Sequence, residues 1–180
     1  PHREAGSDCA QAQGAAAPEH PPFHDDTSTT WYCPAGTVGP PADHRVTVSN
    51  RSGQAIEGTL TLHANDGVSR EPEGHRVAVP AGGERTVSVA ELNDPVVRTA
   101  GAVPPSQPAQ PRFVAVVAEF DVPVTVSHEV HEADGTLTAE GPCAERAASA
   151  WHFPWGVTSR DATDLLVLFN PFPNDVVLDA

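Results

Sequence analysis

The sequence predicts an all-β protein, an antiparallel immunoglobulin-like β-sandwich followed by the start of a second repeat unit. Three observations carry that expectation. Short runs of alternating apolar and polar residues recur along the chain with turn signals between them, as strands of a half-buried sheet require. No segment keeps an apolar period of 3.6 residues over the length of a helix. One stretch also occurs twice: residues 31–50 read WYCPAGTVGPPADHRVTVSN and residues 151–170 read WHFPWGVTSRDATDLLVLFN, so that Trp31, Pro34, Gly36 and Asn50 align without gaps with Trp151, Pro154, Gly156 and Asn170. The chain divides accordingly into a flexible N-terminal arm or linker (1–30), a β-sandwich unit (31–150), and an incomplete second repeat or set of closing strands (151–180). The Cys-Trp-Cys spacing of a true immunoglobulin domain is absent, so the expectation concerns architecture alone.

Residues 1–30 have few apolar anchors and no strand or helix period. His20, His24, Asp25 and Asp26 cluster there, but a mobile segment has no outer shell of partners to hold metal ligands, and a solvated polar run is the expectation. From Arg45 the chain reads as strands. Val46 and Val48 alternate with polar neighbours up to the turn residues Asn50-Arg51-Ser52-Gly53, and Leu60 and Leu62 share a face of the next run. Arg76–Val79 and Arg85–Val89 flank Pro80-Ala81-Gly82-Gly83, a hairpin by pattern. Residues 93–111 hold too many prolines to pair inside a sheet and are expected to form a long loop. Two strong strands follow. Phe113–Ala118 is apolar enough for burial on both faces, and Val122–Val130 places Val124, Val126, His128 and Val130 on one side. Asp134-Gly135 leads into a short strand at Thr136–Thr138, and ERAASA before Trp151 suggests one helical turn.

A net charge of −14, with ten basic residues, all of them Arg, argues against nucleic acid or an anionic membrane surface as partner. No apolar run approaches the length of a membrane span. There is no secretory apolar segment and no initiator Met, so any export signal is expected to have been removed already or to lie outside this sequence. Of the cysteines Cys9, Cys33 and Cys143, the second lies just inside the first motif and the third just before the second motif. If the two motifs abut, Cys33 and Cys143 form a disulfide; the alternative is three free, buried thiols. Cys9 is the odd one out.

No nucleophile elbow, phosphate loop, dinucleotide fingerprint or HExxH motif occurs, and the sequence is read as non-enzymatic, with no cofactor and no metal. His128 and His131 lie three apart on an expected strand, so they point to opposite faces and do not make a ligand pair there. Glu119 and Asp121 share a face, but nothing else marks a cleft around them. Trp31 and Trp151, at equivalent positions, are expected to anchor a core. Trp155, whose counterpart is Ala35, is the best candidate for an exposed contact, with His152 and Tyr32 beside it as possible ligand contacts. Leu165–Phe169 is too apolar to leave wet. The run either begins a separate sandwich or packs on the first unit, and the second arrangement is favoured because a Cys33–Cys143 bridge would bring the motifs together.

The W-[YH]-x-P-x-G and L-x-L-x-N-P elements, with Cys33 after the first Trp and Pro142-Cys143-Ala144 before the second, resemble a family of exported actinobacterial proteins of unknown function. Similar units recur as tandem β modules in bacterial surface proteins. The resemblance covers roughly residues 31–180 and carries over no catalytic residue. It implies a secreted or cell-envelope-associated protein with a structural or adhesive role, partnered by an envelope glycan or another envelope protein. A carbohydrate-binding module accessory to envelope glycan assembly is the alternative. The sequence does not set an oligomeric state.

Overall fold

A computed structural model of the chain describes residues 27–34, 36, 43–65, 72–92, 113–131, 137–150 and 166–177. Seven strands lie among them: β1 (Ser28–Cys33), β2 (Asp43–Ser49), β3 (Ile56–Ala64), β4 (Gly74–Val79), β5 (Glu84–Ser88), β6 (Val114–His131) and β7 (Leu137–Pro142). A single 3₁₀ turn, Val89–Glu91, follows β5. Every ladder is antiparallel, which bears out the all-β expectation. No helix among the described residues is long and apolar enough to cross a membrane.

The organising element is β6. Its first half pairs with β3 on one side and β1 on the other, through Leu60↔Ala118 and Trp31↔Ala118. Its second half pairs with β2 and β7, through Val48↔Val126 and Glu129↔Glu140. The outer strands β4 and β5 then pair with β3 and β2. The result is one curled sheet of two halves that share a strand. The two strands expected at Phe113–Ala118 and Val122–Val130 are thus a single strand of 18 residues. Pro123 lies inside this strand although it cannot donate a ladder hydrogen bond. It sits where β6 leaves its β3 partner, whose ladder ends at Phe120, and before the β2 ladder begins at Thr125, so no donor is required there.

The even-numbered residues of β6 form the core seam. Val114, Val116, Ala118, Phe120, Val124 and Val126 are buried, and Val46, Val48, Leu60, Leu62, Val77 and Val79 close over them. Ala115 and Val117 are buried as well, as expected for a strand covered on both faces. Trp31 joins this core as predicted, 3 % exposed, and its indole Nε1 donates to the carbonyls of Val124 (3.0 Å) and Ser28 (3.1 Å). Trp151 lies outside the described residues.

Several expectations need correction. β1 begins at Ser28, so the unit starts three residues before the expected boundary of the arm. Pro80–Gly83 does turn the chain, with Gly82 at φ +60°, but β4 and β5 do not pair with each other. They belong to opposite halves of the sheet, so the turn is a corner and not a hairpin. The β2–β3 connection makes the same crossing beside it, and buried Asn50 ties the two together. Its side-chain Nδ2 donates to Gln54 O (2.7 Å) and Pro80 O (2.9 Å), its Oδ1 accepts from Ser52 N (2.9 Å), and its backbone N–H donates to Gly83 O (2.9 Å). No helical turn forms at 145–150, and β7 runs from Leu137 to Pro142. The loop expected at 93–111 lies outside the described residues.

Replacing Asn50 with Ala leaves the Ser52 amide without its acceptor and removes one donor from each of the Gln54 and Pro80 carbonyls, which keep the Ser52 hydroxyl (3.0 Å) and the Gly83 N–H (3.2 Å). An uncompensated group of this kind costs about 1–3 kcal/mol, so a loss of about 1–3 kcal/mol in urea unfolding is expected, against a near-neutral Ser52→Ala. An unchanged urea midpoint for Asn50→Ala would show that the corner holds without its stitch.

Candidate functional site

Cys33 and Cys143 are joined by a disulfide, with Cα atoms 4.6 Å apart and a sequence separation of 110. Both are buried. The bridge fastens the end of β1 to the residue that follows β7. Tyr32 reinforces it: its backbone N–H and C=O exchange hydrogen bonds with Ala144, both 2.8 Å. The phenol-bearing residue itself is half-buried, on the face of β1 opposite Trp31 and Cys33. Of the other proposed contacts, His152 and Trp155 lie outside the described residues, as does Cys9.

Under the other half of the sheet sits a pair of imidazoles. His44, on β2, is completely buried, and its Nε2 lies 3.2 Å from Nδ1 of His128 on β6. The rings meet edge to face, with centroids 5.3 Å apart. His44 Nδ1 is buried with no partner in the described structure. That fixes the better tautomer. With the proton on Nε2, His44 donates to His128 and leaves only a bare acceptor at Nδ1; the other tautomer would bury an unpaired N–H. Gly36 lies against this ring, and a Cβ there would stand 1.9 Å from Nδ1. The glycine of the first W-x-x-P-x-G motif is therefore a space requirement set by His44. Sequence reading singled out His128, correctly placed facing the core edge, but missed His44, whose alternation with Val46 and Val48 was the available signal.

Burial pushes the His44 pKa down to about 3, His128 acts in the same direction, and Asp43 pulls the other way. For Asp43 burial acts upward, but the Ser88 hydroxyl (2.7 Å) and the Arg45 guanidinium (2.8 Å) outweigh it and hold the carboxyl below its ordinary value. Among the described residues no three His, Cys, Asp or Glu side chains are placed to hold a metal ion. The His20, His24, Asp25 and Asp26 cluster lies outside them. Glu119 and Asp121 are exposed on one face of β6.

A cleft of about 540 Å³ opens at the opposite end of β6, lined by Pro34, His63, Asn65, Phe113, Ala115 and residues 166–170. Asn65 shapes it, since its Oδ1 accepts from Phe113 N (2.9 Å) and its own N–H donates to Phe113 O (3.2 Å). The ring of Phe169 tilts onto His63 at 5.3 Å, and burial lowers the His63 pKa. Phe169 meets the first unit at His63, and Leu166 and Leu168, which also line the cleft, are about half exposed. Asn170 repeats the turn of Asn50, its Nδ2 donating to Asn174 O (2.6 Å) and its Oδ1 accepting from Phe172 N (3.1 Å).

No protein-family model and no curated protein matches the chain. Its fold is similar to that of protein 1070 of Thermotoga maritima, at 14 % identity and a TM-score of 0.51, over 68 % of this chain and 97 % of that one. The Anabaena sensory rhodopsin transducer aligns at 25 % identity and a TM-score of 0.40, over 55 % of this chain and 92 % of that one.

The histidine pair makes an acid-labile point. His44 is neutral in the folded protein and takes up a proton near pH 6.5 once unfolded, so its contribution is complete above that pH and falls away towards pH 3. The depressed Asp43 acts in the same sense lower down, its contribution lost as pH falls through its folded value. Urea midpoints should therefore drop on acidification through this window, and His44→Leu should flatten the upper part of the decline. Equal pH slopes for the two proteins would show that His44 is not the group responsible. Gly36→Ala should also displace the ring, at a cost of about 1–3 kcal/mol from overpacking.

Proposed function

We propose that this chain is a secreted or cell-envelope β module, immunoglobulin-like in architecture, whose role is structural or adhesive and not catalytic. The observation that supports the reading best is the buried Cys33–Cys143 bridge. Disulfides persist in oxidising compartments and are rare in reducing ones. This one closes nearly the whole described unit, from β1 to the end of β7, and so resists pulling or proteolysis at the point where strands would peel first. A high negative charge suits a module that remains dispersed outside the cell.

A second reading, a carbohydrate-binding module, draws on the cleft beside His63. The rings of His63, Phe113 and Phe169 offer apolar faces of the kind that sugar C–H groups pack on, next to the amide of Asn65. Titration with envelope glycan fragments, with Phe169→Ser as control, decides between the two.

For the principal reading, reduction should lower the melting temperature, and the Cys33→Ser/Cys143→Ser variant should lose about 4–5 kcal/mol, the chain-entropy value for a loop of this size. Cys9→Ser should change little. If the reduced protein melts where the oxidised one does, the bridge contributes nothing and the argument for an oxidising compartment fails with it.

A further inference from the structure

The cleft and the histidine pair stand at opposite ends of β6, yet Gly36 bears on both. The β1 ladder ends where Cys33 pairs with Val116, and two residues further out the Val114 N–H donates to the Gly36 carbonyl at 2.7 Å. Pro34, two residues before Gly36, and Phe113, next to Val114, line the cleft. On its other side Gly36 meets the ring of His44, so closely that a Cβ would stand 1.9 Å from Nδ1. His44 belongs to the second half of the sheet, where β2 pairs with β6 from Thr125 to His131. One buried imidazole is thus in contact with the residue that anchors the start of β6 at the rim of the cleft.

The neutral pair holds two protons on four ring nitrogens, one of them between His44 Nε2 and His128 Nδ1, which are 3.2 Å apart. Facing nitrogens at that distance cannot both carry a proton. A third proton therefore leaves one in the bridge, one on the far nitrogen of His128 and one on His44 Nδ1, whichever ring it enters first. That creates an N–H at Nδ1, a buried position with no acceptor in the described structure and with Gly36 against it. His128 avoids this only by turning away, which strips the His44 Nε2–H of its own partner. The charged neighbours do not relieve the pair. Asp43 and Arg45 on β2 and Glu129 and His131 on β6 alternate with the two imidazoles and lie on the opposite face. Glu140 on β7 stands across the ladder from Glu129, and Glu91 on the 3₁₀ turn is exposed.

We propose that the His44–His128 pair is a proton-operated latch on the cleft: protonation drives His44 off Gly36, breaks the Gly36–Val114 hydrogen bond and loosens the rim at Pro34 and Phe113. The rim yields first because Gly36 is held, among the described residues, by that one hydrogen bond beyond the end of a ladder, whereas β2 and β6 are paired over seven residues. Burial, which lowers the His44 pKa to about 3, acts in the same sense. The closed latch rejects a proton that an open one, with an ordinary imidazole, accepts, so opening is favoured as pH falls below 6.5. The inference holds whatever the cleft accommodates.

Amide hydrogen exchange of the full chain, read by NMR between about pH 6.5 and 4.5 and corrected for the intrinsic rate at each pH, tests this. The range lies above the ordinary Asp43 value of 3.8. The Val114 amide should exchange faster than the amides of the β3–β6 ladder, through a local opening, and its protection should fall about tenfold per pH unit. His44→Gln keeps a donor towards His128 but cannot titrate, and should abolish that slope; His44→Leu serves if the first variant does not fold. His63→Asn, at the cleft itself, should leave the slope in place. Protection at Val114 that is flat with pH, that falls only as the whole ladder falls, or whose slope follows His63 and not His44, overturns the proposal.

Discussion

The structure depends on the apolar seam of a single strand. β6 supplies Val114, Val116, Ala118, Phe120, Val124 and Val126 to the core, and four of the other six strands pair directly with it. A strand of this length cannot stay flat, because strands twist, and the twist carries its second half into a different set of partners. The sheet therefore curls around its own inner side chains. Without β6 the β3–β4 and β2–β5 pairs would be two isolated ribbons, which are marginal in water.

Shared ownership of β6 creates a topological demand that the rest of the chain answers. Chain connections must pass between the halves, and each passage leaves backbone groups without ladder partners. These must be satisfied locally because they are buried. Asn50 answers at one corner by serving carbonyls of both crossing loops, and Trp31 answers at the bend of β6 by donating to Val124 O. Both residues belong to the duplicated W…N pattern. Their polar atoms explain why an apolar residue of equal size would not serve in either position: it would fill the space and take away those donors.

Much of the fold could be read from periodicity. Val46/Val48, Leu60/Leu62 and Val124/Val126 alternate because one face of each strand is buried, and the structure buries them. What periodicity cannot carry is the partner of each strand. Pro80–Gly83 has the composition of a hairpin turn, yet the partners of β4 and β5 are set by distant strands, and the turn becomes a corner. Nor does periodicity show that the strands expected at Phe113–Ala118 and Val122–Val130 are one, β6, which runs on through Pro123. The disulfide was legible through a different route, the supposition that the two motifs lie close. The buried pair of His44 and His128 was legible only by half: the alternation of His44 with Val46 and Val48 in DHRVTVS puts it on the buried face, but its meeting with His128 depends on the pairing of β2 with β6.

The two copies of the motif separate what is local from what is tertiary. Asn50 and Asn170 make the same turn with the same atoms, although the residues between differ wholly (Arg-Ser-Gly against Pro-Phe-Pro). The turn is therefore a property of the asparagine side chain closing on its own backbone, which needs no surrounding fold. Burial is the opposite case. Val46 and Val48 are covered because β6 and its neighbours lie over them, whereas Leu166 and Leu168, larger and more apolar, are not. Hydrophobicity decides that such a face will be covered wherever a complementary one is available; it does not decide whose face that is. The larger side chains in the second copy make the uncovered state costlier than it would be with valines, at about 25 cal/mol per Å². A surface that served only as a solvated overhang would be under no such physical demand, and its leucines could be exchanged for serines without loss.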